Sequence, residues 1–351
     1  MAMTALDDRL YLFGGVGAAG TESILDVAND LWTFTPDTGV WAQLPQAAGQ
    51  PWPEPRRCCG FTASHGQIWC WGGSGITRDG DRTTHTFLND LWSRSAQSAR
   101  WEQLEASDDF RTSPLADGLR PEPRYTPAFH RVGTSLVLFG GYTEDRAGHR
   151  KMNDVWIYSD HTRRWRRPPP DAPDGYQAGA RWPGVRYGSM NAADDQMLYV
   201  CGGFADDGDH IDVWSWDLAA ERWTMLSADG DGGAPRARYC AAMVCHQRAL
   251  WMFGGRSRRH AKDNFSDTWR FDLDRRQWEQ IEGAAAEHRY DGGAPRIAYH
   301  AKAASAMLGE RWFVWGGEGL HGHVSDMWYF DFTAAKWSQV AAARDDDPRF
   351  W

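Results

Sequence analysis

Residues 197–223 read MLYVCGGFADDGDHIDVWSWDLAAERW and carry the pattern that decides the fold. An apolar run, Leu198–Cys201, leads into a glycine pair, and an Asp-x-Trp triplet ending at Trp214 follows. A second tryptophan, Trp223, lies nine residues beyond the first, across a polar turn. Glycine after an apolar run lets the backbone turn where a Cβ atom would clash. The stretch therefore predicts three successive strands joined by turns.

The same pattern occurs six times along the chain. The glycine pairs are Gly14–Gly15, Gly72–Gly73, Gly140–Gly141, Gly202–Gly203, Gly254–Gly255 and Gly316–Gly317. The tryptophan pairs are Trp32/Trp41, Trp92/Trp101, Trp156/Trp165, Trp214/Trp223, Trp269/Trp278 and Trp328/Trp337. One more extended segment precedes each glycine pair, so each unit holds four strands, a to d. Because six such sheets packed radially bury faces that a lone sheet cannot, the sequence predicts an all-β, six-bladed propeller with four antiparallel strands per blade.

A single domain over residues 1–351 follows from this repeat. The expected blades span about 1–48, 53–107, 121–170, 183–228, 234–283 and 294–343, with residues 344–351 as a closing tail. The tail motif Pro348-Arg349 repeats the signature found before the other blades, whereas Met1 already lies inside the first strand. The ring is therefore expected to close by pairing of the two chain ends.

The glycine pair, the Asp-x-Trp triplet and the second tryptophan together resemble the kelch repeat. Kelch units usually carry a Tyr two residues after the first tryptophan. Aromatic residues fill that position in five units, namely Phe34, Tyr158, Trp216, Phe271 and Phe330. Arg94 replaces the aromatic residue in the second unit, so this blade is expected to be looser or to contact a neighbour there. The resemblance implies the propeller strongly and a function only weakly.

Composition limits the class of function. The formal net charge is -9, which argues against nonspecific nucleic-acid binding because that needs a basic surface. No stretch approaches the ~18 consecutive apolar residues of a membrane span, and the first residues lack a signal-peptide pattern. The six cysteines include no CxxC pair, which favours reduced thiols and a cytoplasmic protein.

Loop lengths point to one face of the predicted disc. In an antiparallel blade the b–c and d–a connections share one face, and the a–b and c–d turns share the other. The a–b turns are short, as at Asp7-Asp8 and Gly133-Thr134, whereas the b–c and d–a connections are long and vary in length. Variable loops on a rigid scaffold usually carry specificity, so this loop-rich face is the predicted binding face.

An arginine recurs where strand a begins, and an aromatic residue often accompanies it. The predicted ligand-binding residues, around the mouth of the central channel, are Arg57, Arg124, Tyr125, Arg186, Tyr187, Arg238, Tyr239, Arg296, Tyr299, His300 and Arg349. Guanidinium groups suit bidentate capture of a carboxylate or phosphate. The alternative is that each arginine ties down a d–a loop or pairs with an aspartate of a neighbouring blade.

The best candidate metal ligands are Glu318, His321 and His323, because two histidines and a carboxylate suit Zn or Fe(II). The acidic loop Asp206–His210 is a lesser candidate. Some plant specifier proteins, also kelch propellers, carry iron in a Glu-x-x-x-Asp-x-x-x-His segment, which this sequence lacks. No cofactor is predicted. The histidine and carboxylate pattern leaves open the binding of a divalent metal.

Three functions follow from these features. The first is a binding module that engages a protein segment or peptide at the loop-rich face. The alternative is a small-molecule enzyme, a lyase, cyclase or epimerase, at the channel mouth on the same face. A third reading is an oligomerising subunit, suggested by tryptophans expected to be exposed, namely Trp52, Trp182 and Trp351. The sequence leaves the partner, the reaction and the oligomeric state open.

Overall fold

The computed structural model describes residues 1–16, 27–79, 82–107, 120–145, 148–168, 182–258, 265–281, 303–319 and 322–340. These residues form 24 strands and no helix. The strands make six separate sheets, each of four antiparallel strands, which confirms the predicted six-bladed propeller. Among the residues described there is no helix with the length and apolar character that a membrane crossing needs.

Each blade takes its four strands from one continuous stretch of chain. Blade one holds β1 (Ala2–Leu6), β2 (Arg9–Val16), β3 (Val27–Thr35) and β4 (Val40–Leu44). Blade two holds β5 (Gly60–Ser64), β6 (Gln67–Asp79), β7 (Arg82–Ser95) and β8 (Trp101–Glu105). Blade three holds β9 (Ala128–Val132), β10 (Ser135–Asp145), β11 (Gly148–Ser159) and β12 (Arg164–Arg166).

The other three blades repeat this plan, and all six lie within the predicted blade spans. Blade four holds β13 (Met190–Ala193), β14 (Met197–Phe204), β15 (Asp209–Asp217) and β16 (Arg222–Ser227). Blade five holds β17 (Ala242–His246), β18 (Ala249–Phe253), β19 (Thr268–Asp272) and β20 (Gln277–Gln280). Blade six holds β21 (Ala304–Leu308), β22 (Arg311–Gly319), β23 (Gly322–Asp331) and β24 (Lys336–Gln339).

The glycine pairs form bulges inside the second strand of a blade rather than ending it. In blade four the register shifts between Cys201 and Gly203, and Gly202 has a φ of 53°. Beyond the bulge the strands pair again, so that β6–β7 continues to Asp79↔Arg82 and β22–β23 to Gly319↔Gly322. The connections expected as irregular loops are therefore partly regular hairpins, because a bulge bends a strand without stopping its pairing.

The hydrophobic core consists of six clusters, one at each interface between adjacent blades. The cluster between blades three and four, for example, packs Phe139 and Val155 against Trp214, Trp216 and Trp223. Tryptophan rings bury a large apolar area each, so the repeated pairs account for much of the interface. The tryptophan rows thus act as inter-blade core, as expected.

Ring closure rests on the packing of blade six against blade one. Met3 and Leu12 of blade one share a cluster with Phe313 and Trp315 of blade six. The first strands of all six blades lie innermost, and each contacts the first strand of the next blade around the ring. The predicted pairing of the chain ends involves residues 344–351, which lie outside the described residues.

Two tryptophans expected on the surface pack onto blades instead. Trp182 is only 8% exposed, stacks edge-on against Trp216 and donates a hydrogen bond to the Asn153 carbonyl. Trp52 is half-buried against Trp101. The expectation that these two residues are exposed is therefore wrong. Each ring packs against a tryptophan of the next blade and donates its indole N–H to a backbone carbonyl of the preceding blade. Trp351 lies outside the described residues.

Arg94 contacts the preceding blade, which was one of the two expectations stated for this position. In blades one, three and six the equivalent aromatic residue meets an aromatic ring of the blade before it: Phe34 meets Phe313, Tyr158 meets Trp69 and Phe330 meets Trp251. Arg94 faces Tyr11 instead, and it is only 5% exposed. Its Nε–H has no hydrogen-bond acceptor among the described residues. Burial lowers the pKa of this guanidinium.

We expect Arg94→Phe to raise the free energy of unfolding. The change removes a buried charge that has no carboxylate partner among the described residues, and it restores the ring pair of blades one, three and six. Together these effects should add about 1 to 3 kcal/mol. Denaturant unfolding of the wild type and the variant measures the gain. Arg94→Met is the control, since it removes the charge without adding a ring. A loss of stability in Arg94→Phe would contradict this account of the interface.

Candidate functional site

The d–a and b–c connections meet on one face, as the strand order requires. Isolated bridges join the third residue before strand a to the residue after the glycine pair in four blades. These bridges are Arg57↔Ser74, Tyr125↔Tyr142, Tyr187↔Phe204 and Tyr239↔Arg256. The loop-rich face therefore carries, in each of these blades, two neighbouring side-chain positions held by backbone pairing.

Three arginines predicted to bind ligand lie inside the blades. Arg124, Arg186 and Arg238 are at most 1% exposed. Each forms a bidentate ion pair with the aspartate of the Asp-x-Trp triplet in its own blade, namely Asp154, Asp212 and Asp267. The expectation that these guanidinium groups face the mouth is wrong, and the alternative that an arginine ties down its d–a loop describes them better.

Blade four shows the contacts of such an arginine in full. The Nη1 and Nη2 atoms of Arg186 donate to the two carboxylate oxygens of Asp212 at 2.6 and 2.9 Å. Its Nε donates to the Gly184 carbonyl and Nη1 also donates to the Gly202 carbonyl, both at 3.0 Å. The Trp214 indole donates to Asp212 at 2.6 Å. Each member is thus satisfied by hydrogen bonds, as a buried ion pair requires.

The backbone of the same arginine joins the preceding blade. The Arg186 amide donates to the Met152 carbonyl at 3.1 Å, and the Gly141 amide donates to the Arg186 carbonyl at 3.2 Å. Both partners belong to blade three. The arginine therefore links two blades, with its backbone in one and its side chain in the other. Arg56, which pairs with Asp90 at 2.7 Å, is the equivalent residue in blade two.

A row of aromatic rings crosses the loop-rich face next to these buried arginines. We call it the aromatic shelf, and it consists of Phe87, Tyr125, Tyr142, Tyr187, Phe204 and Tyr239. Ring centroids of successive members lie 5.6, 5.1, 5.5, 5.5 and 5.9 Å apart in that order. The shelf spans blades two to five. Its four middle rings, Tyr125, Tyr142, Tyr187 and Phe204, are half-buried, whereas Phe87 and Tyr239 at its two ends are buried.

Three cations lie over the rings of this shelf. The Lys151 ammonium is 4.7 Å from the centre of the Phe204 ring, and the Arg258 guanidinium is 4.8 Å from the same centre. Arg256 lies 5.1 Å from the Tyr239 ring. Lys151 also pairs with Asp206, and Arg258 is exposed. The shelf is therefore amphipathic, with apolar rings beneath and positive charge above.

Burial raises the pKa of each shelf tyrosine: Tyr125, Tyr142 and Tyr187 shift upward, and Tyr239 rises to about 12. The phenols therefore stay protonated near neutral pH. A general base needs a pKa near the working pH, so these tyrosines suit stacking and hydrogen-bond donation rather than proton abstraction.

The remaining predicted residues fall into three groups. Arg57 is half-buried on the loop-rich face, where its Nη2 lies 3.4 Å from Nδ1 of His85. Glu318 and His323 are register partners in the β22–β23 hairpin, but their side chains are not among those described. The predicted residues that lie outside the described part of the chain are Arg296, Tyr299, His300, His321 and Arg349.

A second cluster forms around the acidic loop of blade four. Ligand atoms of His210, Asp212 and Asp229 lie within 4.8 Å of one another, and they are the one group in the described part of the chain with this metal-binding geometry. Asp212 already pairs with Arg186, while His210 contacts Asp229 and Asp207 at 2.5 and 2.9 Å. A metal ion would have to displace these partners, so the cluster fits a loop anchor better. Asp229 was missed by sequence reasoning because it comes from the d–a connection.

The His210 anchor predicts a pH-dependent contribution to stability. Burial lowers the pKa of His210, but hydrogen bonds to Asp229 and Asp207 outweigh it and the pKa is raised above 6.5. Such a contribution is complete below the unfolded pKa and is lost as the pH rises through the folded pKa. The stability difference between the wild type and His210→Gln should therefore be largest near about pH 6 and should shrink towards about pH 9. Denaturant unfolding across this range measures it, and a constant difference would disprove the anchor.

The central channel opens beside the shelf. It encloses about 410 Å³ and is lined by the innermost strands of all six blades. Its wall includes Cys58, Cys59, His130, Asn191 and Asp194. His130 and Asn191 hydrogen-bond across two blades at 2.8 Å. The wall thus combines polar and apolar side chains, and it contains the two adjacent thiols of Cys58 and Cys59.

Comparison with known proteins identifies the family. A family model for the KLHDC2/KLHL20/DRC7 kelch-repeats domain matches residues 110–291, just over half of the chain. The protein belongs to this family of kelch-repeat propellers. Kelch propellers are commonly protein-interaction modules.

Relatives among well-described proteins are distant. Kelch domain-containing protein 1 of Mus musculus is 21% identical over 97% of this chain and 68% of its own length. The leucine-zipper-like transcriptional regulator 1 homolog of Drosophila melanogaster is 25% identical over 75% of this chain and 24% of its own length. A sulfolyase of Thlaspi arvense, N-(sulfonatooxy)prop-2-enimidothioate sulfolyase, is 29% identical over 40% of this chain and 38% of its own length. The chain thus spans well under half the length of the last two.

Proposed function

We propose that the protein is a recognition module that binds an extended segment of another protein across the aromatic shelf. The observation that carries the proposal is the continuous row of rings across four blades, with cations held above it. Aromatic residues and arginine are enriched where proteins bind partners, since rigid rings bury large areas at low entropic cost. The kelch family, whose members commonly serve as interaction modules, supports this function.

The geometry favours a chain-like ligand over a compact one. The half-buried part of the shelf runs through three successive ring contacts, from Tyr125 to Phe204, so an extended peptide could contact several rings at once. Exposed Arg258 and half-buried Arg57 lie on the same face. Their positive charge would attract acidic side chains of the bound segment and hold it in register.

Selection from a randomised peptide library against the immobilised protein tests the proposal. Enriched peptides should bind the wild type and should lose at least about tenfold in affinity to Tyr187→Ala and to Arg258→Glu, since a central aromatic or arginine contact contributes more than about 1.4 kcal/mol. Fluorescence anisotropy of the labelled peptides measures the affinities. Tyr187 and Arg258 belong to the shelf and its cationic cover, and neither takes part in the buried Arg–Asp pairs.

The chain supplies a matched control for the charge reversal. Arg311 lies 5.1 Å from the Tyr329 ring, much as Arg258 lies over Phe204, but it adjoins the a–b turn of blade six on the opposite face. Arg311→Glu should leave peptide binding unchanged. Equal loss in both charge reversals, or full binding by Tyr187→Ala, would overturn the proposed site.

A small-molecule enzyme at the channel mouth stays an untested alternative. The named activity of the Thlaspi relative belongs to that protein, which this chain matches over less than half of either length. The shelf tyrosines have raised pKa values, and the His210 cluster is occupied by its own ion pairs. These observations favour binding over catalysis as the function to test first.

A further inference from the structure

Cys59 and Cys70 bring two thiols together on one face of blade two. Cys59 immediately precedes β5, in which Gly60 pairs with Trp71 and Phe61 pairs with Cys70. Residues two apart on a strand share a face, so Cys59 lies diagonally across from Cys70 on the same side of the sheet. The two thiols interact, and the interaction lowers the pKa of Cys59 and raises the pKa of Cys70. Both side chains also pack in the cluster between blades one and two.

The two thiols differ in access. Cys59 is half-buried and lines the central channel near its mouth, whereas Cys70 is fully buried. A small molecule that enters the channel therefore meets Cys59 first. Cys70 is not among the residues that line the channel, so we expect it to react only with what forms on Cys59.

The two thiols also differ in their tendency to ionise. The interaction with the Cys70 thiol lowers the pKa of Cys59, burial opposes this effect, and the positive charge of Arg56 assists it. Burial raises the pKa of Cys70 well above its ordinary value. Since the thiolate is the nucleophile, Cys59 is the attacking group and Cys70 keeps its proton.

We propose that Cys59 and Cys70 are a peroxide-reactive pair that closes to a disulfide within blade two. The Cys59 thiolate attacks one oxygen of hydrogen peroxide, the O–O bond breaks, and the departing hydroxide takes a proton to become water. The product on Cys59 is a sulfenic acid. The Cys70 sulfur then attacks the Cys59 sulfur, the S–O bond breaks, and the hydroxyl leaves as water with the Cys70 proton. The two thiols lose two electrons in total, and the peroxide gains them.

The disulfide would tie the residue just before β5 to the first half of β6. Cys59 lies two residues after Arg57 on the loop-rich face and three residues after Arg56, which bonds to Asp90. The pair is thus placed to fix this entry to the blade in response to an oxidant. The inference is independent of peptide binding, because neither thiol belongs to the aromatic shelf.

Peroxide titration of the full chain tests the pair. One equivalent of hydrogen peroxide near neutral pH should lower the free-thiol count from six to four and reduce the intact mass by about 2 Da. Peptide mapping under non-reducing conditions should recover one disulfide, between Cys59 and Cys70, and a dithiol reductant should restore six thiols. Because the mapping uses the unsubstituted protein, it does not depend on whether a variant folds.

Substitutions then separate the two roles. Cys70→Ser should stop the reaction at the Cys59 sulfenic acid, which dimedone traps as a stable adduct, and Cys59→Ser should abolish the reaction. Cys245→Ser is the control, because Cys245 lines the same channel but burial raises its pKa to about 12. This variant should still form the disulfide. Six thiols left after treatment, a Cys58–Cys59 disulfide, or first oxidation at Cys245 would each overturn the proposal.

Discussion

Asp212→Ala is expected to lower the free energy of unfolding by about 3 to 5 kcal/mol. Asp212 and Arg186 are each 1% exposed, and the carboxylate accepts two hydrogen bonds from the guanidinium and one from the Trp214 indole. Removal of the carboxylate leaves Arg186 charged and buried without its partner. Because the backbone of Arg186 also joins blade three, the damage should extend across the interface between two blades.

Equilibrium unfolding in denaturant, followed by tryptophan fluorescence, measures this loss. The matched control is Asp274→Ala, which breaks the ion pair between Asp274 and Arg248, two residues that are both well exposed. Exposed pairs contribute little, so the control should unfold close to the wild type. Similar midpoints for Asp212→Ala and Asp274→Ala would show that the buried pair does not hold the blades together.

Gly202→Ala is expected to destabilise the protein by about 3 kcal/mol, through strain and through a clash. Gly202 has a φ of 53°, in the region that residues with a Cβ atom rarely adopt. A Cβ atom there would lie 2.6 Å from the His210 carbonyl oxygen and 2.9 Å from the Arg238 carbonyl oxygen. Both oxygens belong to backbone that pairs across the bulge or across blades, so neither can move freely.

The control for this substitution is Gly230→Ala. Gly230 also has a positive φ, 82°, but a Cβ atom there would meet nothing within 4 Å. It should therefore show the backbone strain alone, about 1 to 2 kcal/mol. Thermal or denaturant unfolding of the two variants separates the cost of the backbone strain from the cost of the clash. If Gly202→Ala is no less stable than Gly230→Ala, the close packing at the bulge is not a constraint on the fold.

The fold could be predicted because its determinants are local and repeated. All six units contain a glycine pair, an Asp-x-Trp triplet and two tryptophans nine residues apart. Each of these motifs can be recognised within the sequence of a single blade. The continuation of β6–β7 past the glycine pair was not predicted. A glycine pair is compatible with the end of a strand and with a bulge inside a strand. Only the pairing with the neighbouring strand distinguishes the two structures.

The site was predicted only in part, because its chemistry depends on which residues meet. Arg186 and Asp212 are 26 residues apart, and the sequence shows each as an available polar group. In each of blades two to five, one arginine before strand a pairs with the aspartate of the Asp-x-Trp triplet. The recurrence of both residues in the same units is the sequence signal from which this pairing could have been predicted. Phe204 and Tyr142 escaped notice, since their position after the glycine pair gains meaning only from the bridges to Tyr187 and Tyr125.

Hydrogen exchange with and without a selected peptide tests the central claim most directly, namely that recognition occurs at the aromatic shelf. Binding should slow exchange of amides around Tyr142, Tyr187 and Phe204, which lie where the b–c and d–a connections meet. The a–b turns on the opposite face, such as that at Gly133, should exchange unchanged. Protection confined to those turns, with none around the shelf, would contradict the account.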